Sequence, residues 1–344
     1  MKSGQITIKD IARELNISPS TVSRALQDHP DISIKTKKLV NELAAKLEYK
    51  PNHLALSLRH NRTNIIGVII PEIVHFFFST IISGIEDVAY GAGYNVMVCQ
   101  SNESFKREVM DTNALVSSRV DGLLVSLSKE TNTYDHFRHP FERGVPLVFF
   151  DRVCDALPTN RVIVDDLDGA YQATQHLIHQ GCKRIAHLAG PENLIIAQDR
   201  LYGYKKALEK FNMPVDGDLI LHISMNSEEE GFAAAQKLLD SPNPPDAIFV
   251  NNDIGAIGAM KAIKRKGLRI PEDIAVVGFS DWQISSMVEP SLTSVSQPGF
   301  EMGQAAAELF LHQIANKGQE FVPQTKVLKT KLVIRDSSLK KPIQ

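Results

Sequence analysis

The stretch TIKDIARELNISPSTVSRAL (residues 7–26) contains two short helical patterns separated by a tight turn. Thr7 is a suitable N-cap for the first pattern. Ser18 followed by Pro19 is a typical start for the second, because proline at the first helical position loses no backbone hydrogen bond. The second helix is expected to extend to about Asp28. Two helices joined by so short a turn predict a helix-turn-helix.

The second helix of this motif has an apolar side and an outward side of short polar residues with one arginine. A helix that reads the DNA major groove needs such groups, and arginine can bind guanine through two hydrogen bonds. We expect Arg24 to contact guanine, Ser20 to contact a base edge or a phosphate, and Pro19 to add an apolar contact. The other predicted DNA contacts, several of them to phosphates, are Thr7, Ser18, Thr21, Ser23 and Gln27. The alternative is a helical hairpin whose polar side faces solvent.

A third helical pattern follows Ser33, which is a suitable N-cap. Pro51 ends this pattern, and Asn52 can cap a short further helix. A helix of that length is not stable alone in water, so it is expected to fold only against a partner. The apolar stripe predicted for the third helix consists of Leu39, Val40, Leu43, Ala44 and Leu47.

Length and composition indicate a globular protein of two or three domains. The chain has 344 residues, of which 43% are apolar and 23% are charged. No apolar run approaches the roughly 20 residues that span a bilayer, and the N-terminus shows no signal-peptide core, so we expect a cytoplasmic protein. Cys99, Cys154 and Cys182 are far apart and are expected to be reduced thiols.

Charge is distributed unevenly along the chain. Residues 1–62 contain 11 lysines and arginines against 6 aspartates and glutamates, whereas the remainder contains 27 basic and 34 acidic residues. A basic module attracts DNA phosphates, so its position before an acidic body is consistent with nucleic-acid binding. The alternative is a basic surface that is merely solvated.

Two segments together resemble the lactose/galactose repressor (LacI/GalR) family of bacterial transcriptional regulators. They are the helix-turn-helix stretch and the run Tyr49-x-Pro51-Asn52-x-x-Ala55-x-x-Leu58. The resemblance extends over nearly the whole chain. It implies a dimeric or tetrameric, nucleoid-associated repressor whose hinge helices enter the minor groove at the centre of a pseudo-palindromic operator.

The resemblance also implies roles for residues of the hinge. Leu58 is implied to wedge between base pairs, which unstacks them and bends the duplex. Ala55 is implied to let two hinge helices approach closely, and Asn52 and His53 complete the expected hinge contacts with DNA. The alternative for Leu58 is a residue of the hinge core.

From residue 64 onward, apolar strands alternate with helical patterns. One group of strands is NIIGVIIP, YNVMVCQ, DGLLVSLS and VPLVFFD, and a second is RIAHLAGP, DAIFVNND and DIAVVGFSD. This alternation of strands and helices predicts an α/β fold with parallel sheets. The intervening helices are expected at residues 79–90, 106–119, 199–211, 227–239 and 254–266.

The family resemblance implies that these strands form a two-lobed body like that of periplasmic binding proteins. The expected domains are a helix-turn-helix at 1–50, a hinge helix at 51–62 and an effector-binding, dimerising body at 63–344. Within the body, the N-lobe is expected at 63–161 and 292–322. The C-lobe is expected at 162–291 and 323–337, so that the chain changes lobe near 161–165, near 291–295 and after 321.

Ligands of open α/β sheets bind at the carboxyl ends of strands, so residues there are candidates for an effector site between the lobes. Phe77 and Phe78 alternatively serve packing, Asp253 alternatively caps its helix, and Arg200 alternatively pairs with Asp281 or Asp253. The resemblance implies that Phe77 and Phe78 stand where ligands of the family contact an aromatic residue, and that Arg200 matches an arginine that hydrogen-bonds effectors. The predicted effector-binding residues are Phe77, Phe78, Asp151, Leu194, Ile196, Arg200, Asn226, Asn252, Asp253, Ser280 and Asp281.

Several candidates depart from the pattern of the family. Leu194 and Ile196 stand where many members place polar contacts, Asn226 stands where some place a stacking aromatic, and Ser280 stands where many place an acid. The ligand of another family member therefore does not transfer to this chain. The expected class of effector is a sugar or a sugar metabolite. Either induction or corepression is compatible with the sequence.

Two other classes of protein are alternatives to a DNA-binding regulator. An enzyme is disfavoured because the sequence has no Walker loop, no GxGxxG after a strand, no HExxH and no GxSxG. A solute-binding protein would share the two-lobed body, but residues 1–62 argue against it. No cofactor or metal is expected. In the family that the chain resembles, tetramers use an added C-terminal zipper, and the tail SSLKKPIQ has no heptads, so a dimer is expected.

Overall fold

A computed structural model of the chain describes residues 6–49, 62–74, 76–224 and 227–340, and it divides into two units after Thr63. In the first unit, apolar side chains of all three helices form one small core around the fully buried Ile11, Val22 and Val40. The predicted helix-turn-helix is confirmed by the first two of these helices. The three helices are α1 (Ile8–Glu14), α2 (Pro19–Leu26) and α3 (Ile34–Lys46).

Two details of this unit differ from the sequence prediction. Helix α2 ends at Leu26, before Asp28, which has a left-handed backbone with φ 54°. Leu39 was wrongly placed on the apolar stripe of α3, and it is 47% exposed. The buried stripe is Val40, Leu43 and Ala44, and a residue one position before its start is rotated by about 100° towards solvent.

The N-lobe of the second unit is built on a six-stranded sheet, all of whose neighbouring strands are parallel. Its order is β11-β5-β4-β3-β1-β2. The strands are β1 (Ile65–Ile70), β2 (Asn95–Gln100), β3 (Gly122–Val125), β4 (Leu147–Phe150), β5 (Asn160–Val164) and β11 (Thr325–Leu328). The helices of this lobe are α4 (Phe76–Gly91), α5 (Phe105–Ser117), α6 (Asp135–Glu142) and α11 (Gly299–Ala315).

The C-lobe has a second six-stranded sheet, of order β12-β10-β9-β8-β6-β7. All pairs are parallel except β10 with β12, which is antiparallel. The strands are β6 (Ile185–Ala189), β7 (Ile220–His222), β8 (Ala247–Val250), β9 (Ala275–Ser280), β10 (Thr293–Ser296) and β12 (Lys331–Val333). The helices are α7 (Asp166–His179), α8 (Ile195–Lys210), α9 (Glu228–Leu239) and α10 (Asp253–Arg265). The two lobes confirm the predicted α/β class.

The chain passes between the lobes three times, after β5, after β10 and after β11. The predicted lobe boundaries were therefore wrong by a few residues. Strand β5 completes the N-lobe sheet against β4, β10 belongs to the C-lobe because it pairs with β9, and β11 belongs to the N-lobe because it pairs with β5. Strand pairing decides these assignments, and strand patterns in a sequence do not reveal partners.

Helices α4 and α11 pack closely against the N-lobe sheet. A Cβ atom on Gly303 of α11 would lie 2.0 Å from the carbonyl oxygen of Ile81 on α4, and one on Gly84 would lie 2.0 Å from that of Phe300. Glycine is therefore needed at both positions for this approach. Within the described ranges, no helix is long and apolar enough to cross a membrane.

Candidate DNA-binding face and effector cavity

The outward face of α2 presents the residues that the sequence predicts for DNA contact. Pro19, Ser20, Arg24 and Gln27 are exposed, as are Ser18 and Thr7, whereas Thr21 and Ser23 are half-buried. The guanidinium of Arg24 forms no ion pair with any residue that the structure describes. A cation held on a helix surface without a protein carboxylate is available to a phosphate or a base edge.

The starts of α1 and α2 are fixed by side chains. Ser18 Oγ accepts a hydrogen bond from the backbone N–H of Thr21 (3.1 Å) and lies 2.7 Å from Ser20 Oγ. Thr7 donates to the Asp10 carboxylate from its backbone N–H (3.0 Å) and from its hydroxyl (2.6 Å). Such caps orient the helix that carries the polar face. The predicted hinge contacts Asn52, His53, Ala55 and Leu58 lie outside the described residues.

A cavity of about 230 Å³ lies between the two lobes, at the carboxyl ends of their strands. Phe77 and Phe78 belong both to its lining and to the apolar core of the N-lobe, so each contributes to packing and also faces the cavity. The structure brings together eight of the predicted residues in the lining: Phe77, Phe78, Asp151, Leu194, Ile196, Arg200, Asn252 and Ser280.

Two predicted carboxylates do not line this cavity. Asp253 is fully buried behind it and accepts hydrogen bonds from the backbone N–H of Trp282 (2.7 Å) and the hydroxyl of Ser294 (2.5 Å). Burial raises the pKa of Asp253 to about 7. Asp281 forms an ion pair with Arg335 (2.7 Å). These protein partners explain both side chains, and Asn226 lies outside the described residues.

The alternative that Asp253 is the cap of its helix is also wrong. The N-cap of α10 is Asn252, whose Oδ1 accepts from the backbone N–H of Gly255 at 2.8 Å. Asp253 is the first residue of the helix. Asn252 and Asp253 are both chemically suited to cap the helix. The end of β8 places Asn252 at the N-cap position.

Arg200 reaches the cavity from α8, but it does not pair with Asp281 or Asp253 as the alternative prediction had it. Its Nε donates to Asp166 Oδ1 (2.7 Å), its Nη1 donates to the carbonyl of Asn251 (2.8 Å), and its guanidinium lies 3.7 Å from the ring centroid of Phe279. The side chain is therefore held rigidly at the cavity wall. Burial raises the pKa of Asp166 to about 7, although the charge of Arg200 opposes this shift.

Sequence reasoning missed a second buried ion pair in the lining. Arg152 Nη1 donates to both carboxylate oxygens of Glu103, at 2.9 Å and 2.8 Å, and the same carboxylate accepts the backbone N–H of Lys129 at 2.8 Å. All three residues line the cavity. Arg152 directly follows Asp151 at the end of a predicted strand, and that adjacency was the available signal.

Contacts between the lobes close one side of the cavity. Lys129 of the N-lobe donates from Nζ to the carbonyl of Ser224 in the C-lobe (3.4 Å). Asn193 of the C-lobe donates from Nδ2 to the carbonyl of Lys129 (2.6 Å). The two lobes therefore contact each other across the cleft through the loop that contains Lys129. The buried Glu103 carboxylate holds this loop by accepting the Lys129 backbone N–H.

Two lining residues have left-handed backbones, Asp151 with φ 59° and Ser280 with φ 110°. Non-glycine residues are rarely found there, and such strain persists where the surrounding structure requires it, which is common at binding sites. Ser280 donates from Oγ to Gln297 Oε1 at 2.8 Å, which ties this turn to the chain between β10 and α11.

Buried polar atoms in the lining lack protein partners. Arg152 Nε, Asn251 Oδ1 and Gln297 Nε2 have no hydrogen bond to any part of the chain that the structure describes. An unsatisfied buried polar atom is costly, so these atoms favour a polar ligand in the cavity. No group of three or more His, Cys, Asp or Glu residues in the described ranges could hold a metal ion.

Comparison with known protein families decides the identity of both units. Residues 7–52 match the model of bacterial regulatory proteins of the lacI family, and residues 63–334 match that of periplasmic binding proteins and the sugar-binding domain of the LacI family. The chain belongs to the LacI family. It is a DNA-binding transcriptional regulator that is controlled by a small-molecule effector.

Similar proteins of this family are repressors. The chain is 33% identical to the HTH-type transcriptional repressor CytR of Escherichia coli K12, over 96% of each chain. It is 34% identical to the ribose operon repressor of Halalkalibacterium halodurans (96% and 97% covered) and 35% identical to the probable repressor ExuR of Bacillus subtilis (96% and 98% covered).

Solved structures of the family share the fold. The Lac repressor dimer bound to operator and the anti-inducer ONPF matches with a TM-score of 0.85 and 28% identity, covering 98% of this chain and all of that one. A CelR–cellobiose complex matches with a TM-score of 0.73, 30% identity and coverage of 97% and 100%. A LacI-family regulator of Enterococcus faecium with bound ribose matches with a TM-score of 0.70, 29% identity and coverage of 81% and 100%.

Proposed function

We propose that the protein is a homodimeric repressor in the cytoplasm that binds a pseudo-palindromic operator and responds to a carbohydrate in the cavity between its lobes. The cavity carries this proposal, because it combines buried polar atoms that lack protein partners with an apolar floor. The repressors and the sugar complexes among similar proteins support it.

For DNA recognition, we assign base reading to α2. Arg24 contacts guanine, Ser20 and Pro19 lie against neighbouring base edges, and the surrounding hydroxyls and amides bind phosphates. Two copies of α2 in a dimer would read two half-sites about one helical turn apart. The hinge contacts are Asn52, His53, Ala55 and Leu58, with Leu58 as the wedge between base pairs.

For effector recognition, the cavity offers two kinds of surface. Phe77, Phe78, Leu194 and Ile196 provide apolar contacts for the carbon face of a sugar ring. Asn226 is a further candidate contact for the effector. Asp151, Arg200, Asn252 and Ser280 provide acceptors and donors for hydroxyl groups. An apolar wall with a few convergent polar groups is the usual form of a small-molecule site.

The switch follows from the contacts between the lobes. A ligand that fills the cavity adds bonds to both lobes and so favours the arrangement that the Lys129 loop already closes. It changes operator affinity only through its preference for one arrangement of the lobes. The effector is a corepressor if the closed lobes favour DNA binding and an inducer if they oppose it.

The proposal is tested by a thermal-shift screen of sugars and nucleosides on the full chain, followed by an operator gel shift with each hit. A hit should raise the melting temperature and change operator affinity. The variant Asp151→Ala should lose both responses, whereas Asp135→Ala, which changes an exposed carboxylate on α6, should keep both. A hit that acts equally on wild type and Asp151→Ala would contradict binding in this cavity.

A further inference from the structure

The arginines of the cavity are already neutralised by the protein. Arg152 is 7% exposed and its Nη1 contacts both oxygens of Glu103, while Arg200 is 4% exposed and its Nε contacts Asp166. Burial alone would raise the pKa of Glu103, but Arg152 and the Lys129 backbone N–H outweigh it, so the pKa lies below its usual value and the carboxylate stays charged. Each guanidinium therefore already has a carboxyl group of the protein as its partner, and the partner of Arg152 stays charged.

Asp151 is in the opposite situation. Its side chain is buried (5% exposed), it accepts a long hydrogen bond from Ser126 Oγ at 3.4 Å, and it forms no ion pair within the described part of the chain. Burial raises its pKa, although Arg152 and Arg200 lower it. The carboxyl group of Asp151 is thus an acceptor at the cavity wall that is poorly satisfied by the protein.

The acidic and basic residues that line the cavity are equal in number, so the lining has no excess of positive charge. The lining contains Glu72, Glu103 and Asp151 against Lys129, Arg152 and Arg200, and Asp166 lies directly behind Arg200. An anionic ligand would have to approach Asp151 without an unpaired guanidinium nearby. The free-energy cost of removing its charge from water would therefore not be offset.

We infer that this cavity selects an uncharged polyhydroxy effector and rejects the carboxylate or phosphate derivative of the same compound. A hydroxyl group donates to Asp151 and accepts from Arg152 Nε–H, an adjacent acceptor and donor that suit a hydroxyl-bearing ring. The Glu103–Arg152 ion pair determines this specificity, because Glu103 neutralises the positive charge of Arg152 that an acidic ligand would otherwise bind. The inference rests on the proposed function and narrows its ligand class.

Binding of matched compounds to the full chain tests the inference. Isothermal titration calorimetry would compare ribose with ribose 5-phosphate, glucose with glucuronate and with glucose 6-phosphate, and galactose with galacturonate. We expect the neutral member of at least one set to bind, and its acidic partners to bind at least about tenfold more weakly. An acid that binds more tightly than its neutral parent would overturn the inference but leave the proposed carbohydrate effector standing. Binding of neither class, to the wild type or to the variants below, would overturn both.

A charge-releasing variant provides the decisive comparison. In Glu103→Gln, the Arg152 guanidinium loses its carboxylate partner and becomes able to bind an anion. Affinity for the acidic compounds should rise by about 10- to 100-fold relative to wild type, because a hydrogen bond to a charged group becomes available. Glu142→Gln, on an exposed position of α6, is the matched control and should change nothing.

A second variant covers the case in which Glu103→Gln does not fold. Asp151→Asn removes a buried charge that lacks an ion-pair partner, so it should fold at least as well as wild type and should also admit the acidic compounds. Acid binding that stays unchanged in every folded variant would overturn the role of the Glu103–Arg152 pair.

Discussion

The DNA-binding unit and the effector-binding body use arginine in different ways. On α2, Arg24 is exposed and has no ion-pair partner among the described residues. In the body, Arg152 and Arg200 are buried and each contacts a carboxylate from a distant segment. A face that reads a macromolecule must leave its charges available, whereas a cavity for a small molecule needs groups that are already oriented. Substitutions should therefore separate binding from stability in the first region and couple them in the second.

The largest expected effect is on the body. Arg200→Ala leaves Asp166 buried without a cation, which should lower the free energy of unfolding by about 3–5 kcal/mol. Urea denaturation followed by the fluorescence of Trp282, the single tryptophan of the chain, measures this unit because Trp282 lines the cavity. Arg184→Ala, at the partly exposed pair with Asp216, is the control and should cost less than about 1 kcal/mol. Equal costs for both variants would show that burial of the Arg200 pair is unimportant.

The body should also lose stability as the pH rises. The pKa of Asp253 is about 7 in the folded protein against 3.8 for the free side chain, so its contribution is fully present below pH 4 and is lost as the pH rises to 7. The expected loss is about 2–4 kcal/mol, to which Asp166 adds in the same direction. Denaturation of wild type and Asp253→Asn at pH 5 and pH 8 measures the effect. A variant whose slope matches that of wild type would contradict the assignment to Asp253.

In the DNA-binding unit, Arg24→Ala should weaken binding without loss of stability. A bidentate contact of arginine with guanine is worth about 1–3 kcal/mol of discrimination, so the ratio of operator to random-DNA affinity should fall by that amount. Fluorescence anisotropy with both duplexes measures the ratio. Arg13→Ala, on an exposed arginine of α1, should leave it unchanged. If Arg24→Ala lowers both affinities equally, Arg24 contacts phosphate.

The smallest expected effect concerns the start of α2. Ser18→Ala removes the acceptor for the Thr21 N–H and should destabilise the helix by about 1 kcal/mol. Hydrogen exchange of the amides of α2 should become faster by a corresponding factor. Ser18→Asn, which retains a capping oxygen, should restore slow exchange, and failure of that rescue would contradict the capping role of Ser18.

The same contrast explains how much the sequence alone could predict. In the DNA-binding unit, Ser18 and Ser33 start helices through hydrogen bonds to residues three positions later, and such local relations are visible in a sequence. Leu39 was misplaced because the stripe of α3 begins one residue later, and only packing against α1 and α2 fixes the rotation of that helix.

The cavity depends on contacts between residues that are far apart in the sequence. The ends of strands β4 and β8 place Asp151 and Asn252 at the cavity, since parallel strands carry their carboxyl ends to one edge, whereas the family resemblance is what points to Arg200. Glu103 and Arg152, however, are 49 residues apart, and nothing local marks them as partners. The assignment of β10 and β11 to the wrong lobes has the same cause, because pairing across a sheet joins segments that are remote in the chain.

The most direct test of the account is the linkage between the cavity and DNA. With an operator duplex selected from random DNA by the full chain and a neutral sugar from the screen, four affinities would be measured: operator with and without sugar, and sugar with and without operator. The account predicts that each ligand changes the affinity of the other by the same factor, about 5- to 150-fold, and that Asp151→Ala abolishes the change. A sugar that binds the cavity but leaves operator affinity unchanged would contradict it.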